Sequence, residues 1–151
     1  MVKLPYSVLV LEFHFPFSCR RVFEWWTELE PRGYVGRRLK RIEVLERRGR
    51  GARVLTYWRF MGFGFKLLEE LEVKSEGEWV WRSRFLGVPA VETFQLTTTD
   101  GSCMLRITSV MNPPNIFRKM LFLLVGWYWR AEDKKEWVSA AEACIEELTH
   151  T

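Results

Sequence analysis

Residues 53–86 read RVLTYWRFMGFGFKLLEELEVKSEGEWVWRSRFL. Apolar and polar residues alternate through most of this stretch, which is the period of a half-buried strand. Gly62-Phe63-Gly64 and Ser75-Glu76-Gly77 interrupt the alternation with turn chemistry. Strands joined by such short connections form an antiparallel meander, because parallel neighbours need long crossovers.

The same reading extends in both directions. From Arg38 to Met111 the chain divides into six strands, 38–46, 53–61, 65–74, 78–86, 90–99 and 103–111. The connections are RRGRGA (47–52), GFG (62–64), SEG (75–77), GVP (87–89) and DGS (100–102). Before them, Tyr6 to Phe15 alternates so that Leu9, Leu11, Phe13 and Phe15 share a face, and Pro16 ends that strand. SCRRVFEWWTELEP (18–31) places Val22, Trp25, Trp26 and Leu29 at helical spacing, with Ser18 as N-cap and Pro31 as stop. RGYVG (32–36) is a loop or the stub of a second short helix. After the meander, Pro113-Pro114 break the last strand and a long helix runs from Ile116 to about Leu148. Its apolar stripe is read as Phe117, Met120, Leu121, Leu124, Tyr128, Ala131, Val138, Ala141, Ile145 and Leu148. The fold class is α+β, and residues 1–151 are expected to form one domain.

Composition narrows the function classes. The hydrophobic fraction is 48%, and aromatic residues make up 15% with eight Trp, which excludes disorder and points to a large core, an aromatic-lined cavity, or both. The net charge is +4, and much of the excess lies in RRLKRIEVLERRGRGAR (37–53). That run reads as a solvated strand face; it lacks the interleaved aromatics of a nucleic-acid stacking platform. The abundance of Arg and Glu points to a thermophilic source. Cys19, Cys103 and Cys144 are odd in number and widely spaced, with no metal-ligand pattern, so thiols rather than a disulfide framework are expected. The N-terminal apolar run is broken by Glu12 and His14, and Met120–Trp129 is too short to span a bilayer; a cytoplasmic protein is expected. No spacing requires a metal or other cofactor. His14 and His150 have no triad-like neighbours in sequence, and the G-x-G of 62–64 lacks a phosphate-loop context.

Successive turns of a meander alternate between the two ends of the sheet. RRGRGA, SEG and DGS are polar and fall at one end. RFMGFGF (59–65), RFLGVPA (84–90) and the helix start NPPNIFRKMLF (112–122) are apolar and fall at the other. An apolar rim of this kind is a cavity mouth, a contact surface, or a plug on the core.

Strand Tyr6–Phe15, helix CRRVFEWWTEL (19–29), the meander and the helix beginning NIFRKMLFLLVGWYWR (115–130) together resemble the SRPBCC or START-like superfamily. Its members include START lipid-transfer domains, pollen-allergen-like proteins, polyketide cyclases and coenzyme Q-binding relatives. The resemblance implies a helix-grip fold: a curved antiparallel sheet of about seven strands wrapped around the long C-terminal helix, with one or two short helices after the first strand. It also implies an apolar cavity whose entrance is framed by hairpin loops and the helix start.

The leading expectation is therefore binding or transport of a hydrophobic small molecule, such as a lipid, isoprenoid or polyketide-like compound. Its expected liners are Trp58, Phe60, Met61, Phe63, Phe65, Trp81, Phe85, Leu86, Val88, Phe117, Met120, Leu121, Leu124 and Tyr128. Glu69 interrupts the row Phe65, Leu67, Leu71, Val73 and is either an inward polar anchor or turned outward by a bulge. Trp79, Trp81, Ser83 and Phe85 share another face that either lines the cavity or is plain core, and Ser109, which interrupts Leu105, Ile107 and Met111, either orients a ligand or bonds locally. One alternative is an enzyme of the cyclase or dehydratase type, with Glu69, Tyr57 and Tyr128 as acid–base candidates. Another is an interaction module that sets its apolar rim against a membrane or a protein.

Overall fold

The computed structural model describes residues 7–28, 39–60, 62–85, 87–113 and 115–150, with all their side chains except those of 7–8, 39–40, 60, 85 and 121–130. The elements in chain order are β1 (Ser7–Phe15), α1 (Cys19–Thr27), β2 (Leu39–Arg48), β3 (Gly51–Phe60), β4 (Phe63–Ser75), β5 (Glu78–Phe85), β6 (Val88–Thr99), β7 (Ser102–Met111) and α2 (Ile116–Thr149). The expected strands are all present, and most run further into their turns than expected. The connection read as 47–52 shrinks to a turn at Gly49-Arg50, with Gly49 at a φ of +51° that glycine adopts without strain. Ser18 caps α1 as expected, its hydroxyl accepting from the Arg21 N–H. The stretch 32–36, read as a loop or a second short helix, lies outside the described residues.

All seven strands form one antiparallel curved sheet in the order β1-β7-β6-β5-β4-β3-β2. The register fixes the inward face. Phe13 pairs with Leu105, Phe94 with Ile107, Trp79 with Phe94, and Trp81 with Glu92. Strand period two then carries Phe15, Leu105, Ile107, Phe94, Trp79, Leu71 and Val54 into the core. Trp79 and Phe94 stack with ring centroids 5.3 Å apart, and Trp26 and Trp137 close over Phe94 from α1 and α2. Each such pair adds about 1 kcal/mol beyond the burial of its area. This aromatic block fills the end of the molecule where the polar turns lie.

At that end, α2 is also tied to α1. Trp25 donates from its indole to Glu147 Oε2 at 2.8 Å, and Arg21 donates to the Leu148 carbonyl at 2.9 Å. Cys19 and Cys103 form a disulfide there, with Cα atoms 5.0 Å apart, which corrects the expectation of thiols. The physical reason is topological: Phe15 pairs with Cys103, so α1, starting four residues after Phe15, begins directly beside that strand position. Cys144 is a buried thiol in the core.

At the opposite end, Gly87 takes a φ of +78° and leaves room for the Arg118 guanidinium, whose nearest atom lies 3.3 Å from where a Cβ would stand. The β5–β6 turn and the start of α2 therefore touch. Asn115 caps α2 by accepting from the Arg118 N–H at 2.8 Å. The helix is continuous through Gly126. Its buried residues in the described C-terminal part are Glu132, Glu136, Ala140, Ala141 and Cys144, whereas Ala131 and Ile145 are exposed. The expected stripe was thus placed partly on the wrong face, because carboxylates occupy buried positions that a hydropathy pattern leaves out.

The described part of the basic run lies on β2 and β3, where several of its arginines pair with acids: Arg41 with Glu43, Arg48 with Glu46 and Arg53 with Glu70. Among the described residues, no helix is long and apolar enough to cross a membrane.

Candidate functional site

Between the middle of the sheet and the middle of α2 lies a cavity of about 60 Å³. One part of its wall is apolar: Trp58, Phe65, Leu67, Ala90 and Met111. The other part is acidic, with Glu69 from β4, Glu92 from β6, and Glu132, Asp133 and Glu136 from α2. Ser83, Ser109 and Arg59 complete the described lining.

Strand period places each sheet residue. In β4 the inward series Phe65, Leu67, Glu69, Leu71 is unbroken, so no bulge turns Glu69 outward, and its side chain is 7% exposed. In β6 the series is Val88, Ala90, Glu92, Phe94, and in β7 Ser109 lies opposite Glu92. On α2, Glu132 and Glu136 are four residues apart and share a face, with Asp133 beside them.

The electrostatics follow from enclosure. Burial disfavours the charged form, and it pushes the Glu69 carboxyl up to about 7; a hydrogen bond from Thr56 opposes this and the nearby Asp133 carboxylate adds to it. Burial likewise raises Asp133 to about 7, with Glu136 contributing repulsion. Glu92 is raised well above the usual range by burial, then by Asp133 and Glu69. Glu69, Glu92 and Asp133 therefore repel one another across the cavity, and Glu136 acts on Asp133 from the same helix. The Trp137 indole favours the ionised forms of Glu92 and Asp133 without making a regular hydrogen bond. Glu92 Oε2 is shut off from bulk solvent and has no hydrogen-bond partner. Lys135 sits 3.5 Å from Glu132 on the exposed side. Among the described residues, no group of three or more acids, histidines or cysteines is arranged to hold a metal ion.

Of the residues singled out from the sequence, Trp58, Phe65 and Glu69 line this cavity. Trp81 is half-buried against the aromatic core, and Val88 is buried with Ala90 and Met111 beside the cavity. Phe63, Phe117 and Met120 are exposed, by 76%, 68% and 60%. Phe60, Met61, Phe85, Leu86, Leu121, Leu124 and Tyr128 lie outside the described side chains. Tyr57 does not line this cavity: its hydroxyl donates to Glu43 Oε2 at 2.9 Å on the outer face, with Arg41 over its ring. Glu92, Glu132, Asp133 and Glu136 were missed. The signal for Glu92 was in the alternation of β6, the same logic that found Glu69.

No family model matches this chain, and no curated protein matches it. Solved structures do. TTHA0849 from Thermus thermophilus superposes with a TM-score of 0.77 at 17% identity, covering 94% of this chain and 99% of that one. The Zhui aromatase/cyclase from Streptomyces sp. R1128 gives 0.71 at 13% identity, covering 93% and 92%. A START superfamily protein from Mycobacterium smegmatis gives 0.71 at 14% identity, covering 93% and 98%. The chain has the helix-grip fold that these proteins share.

Proposed function

We propose that this helix-grip protein binds a hydrophobic small molecule, of the lipid, isoprenoid or polyketide-like class, between its sheet and its long helix. The observation that carries the reading is the cavity beneath α2, where Trp58, Phe65, Leu67, Ala90 and Met111 form an apolar part of the wall. Its likeness in fold to an aromatase/cyclase and a START superfamily protein fits that use, at the level of the fold. Binding or carriage without chemistry is the simpler form. A cyclase- or dehydratase-type reaction is the second form, favoured by Glu69, a carboxyl poised near 7 in an apolar enclosure. Mass spectrometry of the native protein, looking for a co-purified compound, tests the common element. Absence of any adduct, together with Trp fluorescence unmoved by apolar probes, would remove it. Glu69→Gln then tests the second form, since unchanged turnover of a confirmed substrate would eliminate Glu69 as the acid or base.

A membrane-contacting role is supported separately by the exposed Phe63, Ile116, Phe117 and Met120 at one end of the molecule. A cytoplasmic location completes the reading; the Cys19–Cys103 disulfide then belongs with those found inside thermophile cells.

A further inference from the structure

Resting on the ligand-binding reading, we propose that the ligand is an amphipathic cation, whose apolar body meets Trp58 and Phe65 and whose protonated nitrogen sits among Glu69, Glu92 and Asp133. The cavity, the convergence of these side chains and an unused acceptor carry the inference.

The acids approach from three elements: Glu69 from β4, Glu92 from β6, and Glu132, Asp133 and Glu136 from α2. The described cations near them are Arg59, an exposed residue at the end of β3 that also lines the cavity, and Lys135, which pairs with Glu132 from outside. Neither forms an ion pair with Glu69, Glu92 or Asp133, and neither acts on the titration of those three. Glu92 Oε2 is enclosed and accepts from no protein donor. A buried acceptor left in this state bears its full desolvation cost, so a donor from outside the chain has a place to act. The donor set needed is compact and positively charged. Metal ions are not indicated, because no three acids converge to coordinating geometry among the described residues. An ammonium group tolerates a wider spacing of the same acids, because it reaches them through hydrogen bonds of about 2.8 Å and donates up to three.

The acid cluster relieves its own repulsion by holding protons, and burial with neighbouring carboxylates holds Glu69 and Asp133 half-protonated near pH 7. A cation favours the ionised carboxylates, so its binding expels protons and strengthens as pH rises. A neutral ligand of the same shape has no such dependence.

The test compares 2-phenylethylamine with 2-phenylethanol on the unmodified protein, by calorimetry in two buffers of different ionisation heat. The amine is expected to bind about tenfold or more tightly at pH 8, the usual gain of a charge-assisted hydrogen bond. Its binding should release protons and weaken towards pH 5, while the alcohol stays flat. Glu92→Gln and, separately, Glu69→Gln should lower the ratio of amine to alcohol affinity at pH 8 severalfold and reduce the protons released on amine binding. Equal affinity for the two at pH 8, or an amine advantage that survives both substitutions, would overturn the proposal while leaving hydrophobic-ligand binding intact. Binding of neither probe, nor of longer alkyl or polycyclic alcohols and amines, would overturn both.

Discussion

Thr56 donates a 2.7 Å hydrogen bond to Glu69 Oε2, and the same hydroxyl accepts one of 2.6 Å from the Trp58 indole. A rim-side tryptophan is thereby linked through one threonine to the buried carboxyl of the cavity. The threonine holds down the pKa of Glu69, because its hydrogen bond favours the ionised form against burial. Replacing Thr56 with valine keeps the volume and removes both bonds. Glu69 should then stay protonated to a pH above its present value of about 7, as read by NMR or carboxyl-stretch titration. Stability should fall by about 1–3 kcal/mol, since the Trp58 N–H also loses its acceptor. A Glu69 titration indifferent to this change would refute the link.

The acid cluster also sets how stability depends on pH. Glu69 has an ordinary value of 4.5 and is raised to about 7 in the fold, so between those values the folded state binds more protons than the unfolded one. Stability is therefore fully present below about pH 4.5 and is lost as pH rises through about 7. Asp133 and Glu92 act in the same direction. Glu69→Gln removes the penalty at its position, and at pH 8 it should stabilise the ligand-free protein by up to roughly 3 kcal/mol, the linkage value of such a shift. Denaturant melts at pH 5 and pH 8 check this; a wild type more stable at pH 8 than at pH 5 would contradict it.

These two cases show what the sequence makes legible. Period-two alternation and turn residues are local, so the meander and the N-cap at Ser18 follow from neighbours in the chain, whereas the choice between an inward and a bulged-out Glu69 is made only by the unbroken register of β4. Glu92 obeys the same alternation but stood in a strand that also carries Thr93, Gln95 and Thr97, where one more polar residue attracts no notice. Glu132, Asp133 and Glu136 were harder, because a helix that buries carboxylates hides its buried face from any hydropathy pattern. The meeting of these acids depends on a helix crossing strands far from it in sequence, and no local rule reaches that far.

The apolar end gives a prediction of the opposite kind. Phe63 is 76% exposed at the tip of the β3–β4 hairpin, so Phe63→Ser should leave stability within about 0.5 kcal/mol of wild type. Phe117 and Met120, also exposed, flank Arg118 and Lys119, which supply charge for an anionic surface. Co-sedimentation with vesicles containing anionic lipid should weaken severalfold in Phe63→Ser and further in Phe63→Ser/Phe117→Ser. Binding that persists unchanged in the double variant, or that is absent in wild type, would rule out this end as a membrane contact.

The disulfide offers the last test, and its effect runs through the unfolded chain. Cys19 and Cys103 are 84 residues apart, so their bond closes a long loop and removes conformations from the denatured ensemble. For a loop of that length the chain-entropy account gives a stabilisation of about 4.6 kcal/mol, and strain or residual structure reduces it in practice to about 2–4 kcal/mol. The bond also pins α1 to β7, and α1 carries Trp25 and Trp26 into the aromatic block that forms the floor beneath the acid cluster. Cys19→Ser should therefore lower the denaturant midpoint, and reducing agent should do the same to wild type but nothing further to the variant. Thiol titration of the denatured, unreduced protein should find one reactive cysteine, Cys144. Three reactive thiols in that assay would show that the bond does not form, and the loss of stability on Cys19→Ser would then have to come from packing alone.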